Sequence, residues 1–248
     1  MVVHGSVDGY SRRIMFLRCS ANNLAETVLE LFLDAVKMDG NLWPSRIWVD
    51  KGVENVLVCD AMIQARGEGR GSFIAAPSTH NQRIERLWRD VFRCVCHLYY
   101  YIFYAMESTG ILDTDNSVHL FTLHLIFIPR INKALDEFRE AFNHHKVRTE
   151  RNCSPNQLWI NGMFHPDNPL AHAELDEEPH DFDPYVPSSV ESDNNVIVEA
   201  VDLPHDDLLT SFVLETIDPL QQSDEMGIDI YIKALELVVS KIDELANS

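Results

Sequence analysis

The sequence predicts an α/β domain followed by an acidic tail, and three observations predict it. Short β-type runs at Val2–Val7, Arg12–Cys19, Arg46–Val49 and Ser72–Ala75 are interleaved with segments of helical period. Two long stretches, about Asn81–Ser108 and Val118–His144, carry apolar residues at helical spacing. Charge is also partitioned. The net charge is −19 over 248 residues, yet of the 20 Lys and Arg residues only Lys233 and Lys241 lie beyond position 164. The first two thirds are close to neutral, so the overall acidity does not exclude a polyanionic partner, because the local field decides.

The elements follow in chain order. Val2–Val7 and Arg12–Cys19 flank the turn Gly9-Tyr10-Ser11 and read as a hairpin. Ile14, Phe16 and Arg18 are expected on one face of the second strand, Met15 and Leu17 on the other. Asn22 or Asn23 caps a helix through Met38, with Ala25, Val28, Leu29, Phe32, Leu33 and Val36 at helical spacing. Pro44-Ser45 leads into the strand Arg46–Val49. After Asp50-Lys51-Gly52 a helix runs from about Val53 to Ala65, then Gly67, Gly69 and Gly71 make a loop before the strand Ser72–Ala75. Pro77-Ser78-Thr79 opens the first long helix. Pro129 is expected to kink the second, which His144-His145 caps. Ser154-Pro155-Asn156-Gln157 starts a short helix that ends near Gly162. From His165 to about Glu225 the chain is rich in Asp, Glu, Pro and Asn and reads as a mostly disordered linker. Ile228–Leu245 resumes a helical pattern through Ile228, Ile232, Leu235, Val239 and Ile242.

Several function classes are disfavoured. The five cysteines, Cys19, Cys59, Cys94, Cys96 and Cys153, are scattered and odd in number. No secretory signal pattern opens the sequence, so an intracellular location, nuclear or cytoplasmic, is expected. No apolar run reaches the ~20 residues of a membrane span. Cys94-x-Cys96-His97 has no second cluster at ligand spacing, which disfavours zinc. Ser11 and Ser154 lack a triad context, and Gly67-x-Gly69-x-Gly71 is not a phosphate-binding loop.

The chemistry-bearing stretch runs from Arg46 to Val95. Asp50 ends an apolar strand, and Glu85, 35 positions later, lies within an arginine-studded helix. Carboxylates at a strand end and on a later helix can share a divalent metal, as two-metal phosphoryl transfer requires, although such a site uses three acids. Taken singly, Asp50 also reads as a turn residue, and Glu85 as a surface acid paired with Arg89. Asn81, Glu85 and Arg89 share one stripe of the helix, flanked by Arg86 and Arg93 and, on the other side, by Gln82. Such a stripe suits a phosphodiester held near metal ions; the plainer reading is a solvated charged face.

Four stretches resemble the retroviral-type integrase core, the DDE transposase class with a ribonuclease-H-like fold. They are Val7-Asp8-Gly9-Tyr10-Ser11-Arg12, Asp50-Lys51-Gly52-Val53-Glu54-Asn55, His80-Asn81-Gln82-Arg83-Ile84-Glu85-Arg86, and His144–Trp159 with Ser154-Pro155-Asn156-Gln157-Leu158-Trp159. The step from Asp50 to Glu85 is also typical of that family. The resemblance spans about Met1–Met163, and its nearest counterparts are mobile-element-derived integrase-core proteins of animal genomes.

The resemblance implies a ribonuclease-H-like mixed sheet with flanking helices, and Asp50 and Glu85 as the second and third catalytic acids and metal ligands for Mg²⁺ or Mn²⁺. It implies DNA as partner, bound through Asn81, Gln82, Arg83, Arg86, Arg89 and Arg93, and possible homo-oligomerisation. It places the glycine loop near the active site. The family's first acid lies on a strand before the segment matched by Val7–Arg12, so the first strand and first acid are expected to be missing. Asp8 is the candidate stand-in ligand. Loss of that central strand would leave two strand edges unpaired, and DNA strand transfer is expected to be impaired. The expected organisation is an integrase-core-like domain over 1–163, an acidic linker over 164–225 and a terminal amphipathic helix over 226–248. The alternative is a domesticated, non-enzymatic module that binds a protein partner through the acidic tail and terminal helix.

Overall fold

The computed structural model describes residues 1–50, 52–75, 82–165, 198, 201 and 203–247. Two strands, β1 (Val2–Val7) and β2 (Ile14–Ser20), form the expected antiparallel hairpin. Its register slips at Ser6/Val7, where Ser6 faces Phe16 but Val7 faces Ile14. That bulge corrects the face assignment. Ile14 joins Leu17 and Cys19 in the core, because the extra residue reverses the alternation between Ile14 and Phe16. Helix α1 (Ala25–Met38) follows. Asn22 Oδ1 accepts from the Leu24 N–H at 3.1 Å and the Thr27 hydroxyl at 2.7 Å, so Asn22 shapes the entry without being the cap residue itself.

The second pair, β3 (Ile47–Val49) and β4 (Phe73–Ala75), is parallel, with a 3-10 turn at Val53–Asn55 and helix α2 (Val56–Arg66) between its strands. Gly67, Gly69 and Gly71 each have positive φ, a conformation glycine adopts without steric cost. Among the described residues the strands do not join into one sheet. The described residues make two separate two-stranded sheets, with no strand bonded to the outer edge of either β1 or β3. A central strand would have to supply those bonds.

The first long helix is continuous but composite. It consists of α3 (Gln82–Val91), a π-helical segment Phe92–Cys96, and α4 (His97–Ser108). Ile84, Leu87, Val91 and Val95 face inward, while Trp88 lies against β1, 3.0 Å from where a Cβ on Gly5 would stand. Helix α5 (Ser117–His144) runs unbroken through Pro129 and organises the core. It packs on β2, on α6 (Pro155–Met163) and on α8 (Ile228–Ala246). Ser154 and Gln157 form the full capping box of α6, with Pro155 at its first turn. The Arg13 guanidinium sits over the Trp159 ring at 5.2 Å, which ties α6 to the hairpin.

The tail differs from expectation within its described part. Asp206–Thr216 forms helix α7, inside the stretch read as disordered, because Leu209, Val213 and Ile217 make a narrow buried stripe. Val198 also pairs with Asn23 in both directions, at 3.2 and 2.8 Å. Most of the linker, residues 166–197, lies outside the described residues. In α8, Ile230, Tyr231, Ala234 and Val238 are fully buried in the same core as α5, so the terminal helix is not a separate unit.

Candidate functional site

Asp50 is the first residue beyond β3 and is exposed. The parallel register pairs Val49 with Ala75, so Asp50 lies at the end of the pair from which the chain leaves β4 toward α3. The carboxyl ends of parallel strands are the usual place for ligands in open α/β sheets. The residues after Asp50 form its local frame. Its carbonyl accepts from the Gly52 N–H at 2.8 Å and from Asn55 Nδ2 at 3.3 Å. The Glu54 carboxylate folds back over Gly52, where an added Cβ would collide with Glu54 Oε1. The glycine therefore leaves room for the acid two residues on. Although Asp50 as a whole is exposed, partial desolvation of its carboxyl raises it above the ordinary aspartate range.

Glu85 stands exposed in the first turn of α3, where a carboxylate is favoured by the helix dipole. No ion pair forms between Glu85 and Arg89, contrary to the plain surface-pair reading. Among the described residues neither side chain has a hydrogen-bonding partner.

Asp8 has a different environment. Its Oδ2 accepts from the Tyr10 N–H at 3.1 Å, the Ser11 N–H at 2.6 Å and the Ser11 hydroxyl at 2.7 Å. Its backbone also bonds Arg12 and Arg13 across the turn. One carboxylate oxygen thus closes the hairpin, and Ser11 beneath it is fully buried. Asp50 and Glu85 carry the hard oxygen donors that Mg²⁺ prefers. Among the described residues, however, no group of three His, Cys, Asp or Glu side chains comes together to hold a metal. A three-carboxylate centre is not assembled among the described residues.

The arginine row is clear in the structure. Arg83, Arg86, Arg89 and Arg93 are exposed along α3 and the π-helical segment, opposite the buried Ile84, Leu87, Val91 and Val95. None of the four pairs with a carboxylate among the described residues. By contrast, Arg12, Arg13, Arg18 and Arg139 are held by Glu150, Asp39 and Asp136. Gln82 is the first residue of α3, and Asn81 lies outside the described residues, as does Lys51. Cys94 is exposed and Cys96 half-buried, both free thiols within the π-helical segment.

Sequence reasoning missed two asparagines on α5, Asn132 and Asn143, whose amides bond the outer edge of β2. Each reads as an ordinary polar helix residue, and only the regular placement of two buried-face amides could have signalled them. Among the described residues, no helix is long and apolar enough to cross a membrane.

Comparison with known proteins adds one match. A family model described as Integrase core domain covers residues 1–173, about two thirds of the sequence. No curated protein and no solved structure matches significantly.

Proposed function

Since the chain belongs to the integrase core domain family, we propose that it is a nucleic-acid-binding protein of DDE polynucleotidyl-transferase descent, with impaired strand-transfer chemistry. The observation that carries the binding half is the row Arg83, Arg86, Arg89 and Arg93, four exposed cations without a carboxylate partner among the described residues. Arginine presents a planar fork suited to phosphate, and phosphate contacts supply most sequence-independent affinity. DNA is the partner that the family implies.

The impairment rests on Asp8. Integrase cores use divalent metal, and Mg²⁺ at Asp50 and Glu85 would need a third donor. The candidate stand-in, Asp8, closes its own hairpin turn instead. The hairpin and the parallel pair are read as the two sides of a ribonuclease-H-like sheet, with no strand between them among the described residues. A transposon origin, homo-oligomerisation and a nuclear location belong to the same reading. The interaction-module alternative is weakened at one point, because the apolar face of α8 is already engaged with α5.

Fluorescence anisotropy with labelled duplex DNA across a salt series tests binding. Arg86→Ala should weaken affinity for every duplex sequence and lower the salt slope by about one. Absence of any salt-dependent binding sinks the proposal. A magnesium-dependent strand-transfer assay tests impairment, and robust turnover lost on Asp50→Ala or Glu85→Ala would show that catalysis survives.

A further inference from the structure

The helix that carries the arginine row continues into an exposed aromatic ladder. Phe92, Tyr100, Tyr101 and Tyr104 are 49%, 58%, 56% and 63% exposed, and His97 stands exposed among them. The rings are ordered against one another. Phe92 and His97 meet edge to face with centroids 5.9 Å apart, His97 and Tyr101 at 4.7 Å, and Tyr100 and Tyr101 at 5.5 Å. The π-helical turn makes the first of these links, because its wider repeat brings residues five apart over each other. The core does not need these rings, since Ile102 and Met106 fill the inward face of α4.

Large apolar side chains grouped on a surface mark an interaction site. The cations beside them indicate which kind. Arg89 and Arg93 flank Phe92 on the same helix, so the aromatic face begins where the guanidinium row ends. We propose that this ladder binds unpaired bases of single-stranded nucleic acid, stacking them on His97, Tyr100, Tyr101 and Tyr104 while the arginines hold the adjoining phosphates. A positively charged track beside stacking rings is the general solution for single strands, since every base has a π face. A second copy of the chain is the weaker occupant. A two-fold contact brings the same patch from both partners, and with it both rows of cations. The inference rests on the nucleic-acid reading of the arginine row and narrows it to unpaired strands at α4.

The test uses the full chain and two labelled probes, an oligothymidylate of about 15 nucleotides and a duplex of the same length. Binding is followed by anisotropy, and self-association by sedimentation velocity. The double variant Tyr101→Leu/Tyr104→Leu keeps apolar bulk and removes the rings. It should bind the single strand roughly tenfold or more weakly, since a base–aromatic stack accounts for at least that order, while duplex affinity holds. Circular dichroism confirms that the variant is folded. Unchanged single-strand affinity overturns the proposal. So does a variant that only shifts a dimer to monomer, which would make the ladder an interface between copies. Wild-type protein that binds duplex but not the single strand overturns this inference alone. Wild-type protein that binds neither probe removes the nucleic-acid reading as well.

Discussion

Asn143 completes the edge of β2 at Ile14. Its Oδ1 accepts from the Ile14 N–H at 2.8 Å and its Nδ2 donates to the Ile14 carbonyl at 3.0 Å, so a helix side chain stands where a strand residue would. Asn132 does the same at Cys19, at 2.7 and 3.0 Å. The geometry permits both contacts at once. Eleven helical residues from Asn132 to Asn143 rise about 16.5 Å at ~1.5 Å each, and five strand residues from Ile14 to Cys19 span about the same at ~3.3 Å each. Asn143 is buried. Asn143→Leu should therefore strand a donor and an acceptor of Ile14, at about 1–3 kcal/mol for each unpaired group. Urea unfolding should show a loss of about 2–6 kcal/mol at unchanged slope. A loss within experimental error would mean that the edge is satisfied in another way.

The three candidate acids should separate by stability. Asp8 anchors the hairpin turn through three hydrogen bonds to one oxygen, two of them from Ser11. Asp8→Ala leaves the buried Ser11 groups without that acceptor and should cost about 1–3 kcal/mol. Asp8→Asn keeps a carbonyl acceptor and should recover part of it. Asp50→Ala and Glu85→Ala remove exposed side chains and should stay within about 0.5 kcal/mol. Thermal melts of the four variants check this. An Asp8→Ala protein as stable as wild type would release Asp8 from its structural role and reopen it as a ligand.

These contrasts locate what the sequence makes legible. The hairpin, α1, the two β3–β4 strands and the start of α6 at Ser154-Pro155 follow from local patterns, and each appears within a residue or two of expectation. The bulge at Ser6/Val7 inserts a residue that strict alternation does not anticipate, so local alternation misplaces Ile14. The Asn143–Ile14 contact joins residues 129 apart, and no local rule reaches that far. Helix α7 is masked by composition: Asp206, Asp207 and Glu215 surround a buried stripe only one residue wide. For the site, spacing and resemblance single out Asp50, Glu85 and the arginines. That Asp8 is engaged in its own turn is a matter of side-chain direction, which the sequence does not reveal.

His124 makes stability depend on pH. Burial within α5 lowers it to about 4, against the ordinary value near 6.5 in the unfolded chain. The folded state then binds fewer protons than the unfolded state at acidic pH, so this residue's contribution falls as pH drops from about 6.5 toward 4. Replacing it with Phe removes the titration. The difference in urea midpoint between His124→Phe and wild type should shift in the variant's favour between about pH 7 and pH 5. A difference that does not move with pH would mean that His124 is protonated as readily folded as unfolded.

The terminal helix belongs to the core, which changes how the tail can be tested. Tyr231 is fully buried, 6.4 Å from the Phe127 ring, with its hydroxyl at 3.3 Å from His119 Nδ1. Burial raises that hydroxyl to about 12, so it remains a hydrogen-bond donor throughout the physiological range. Tyr231→Ala should cost about 3–5 kcal/mol, as for other large aromatic truncations, and Tyr231→Phe only about 1 kcal/mol for the lost hydrogen bond. Cutting the chain at the end of α6 would remove α8 from α5 and uncover Phe127, which packs on Tyr231, and the shortened protein should aggregate or unfold. Its failure to bind DNA would then say nothing about the acidic tail. Charge-neutralising substitutions at the exposed Asp207 and Glu215 and the half-buried Asp206 of α7 leave the buried stripe intact. If the tail competes with DNA for the arginine row, those substitutions should tighten duplex binding at low salt and make no difference at high salt. A Tyr231→Ala protein that melts like wild type would instead show that α8 is dispensable to the core, and deletion would again be a fair test.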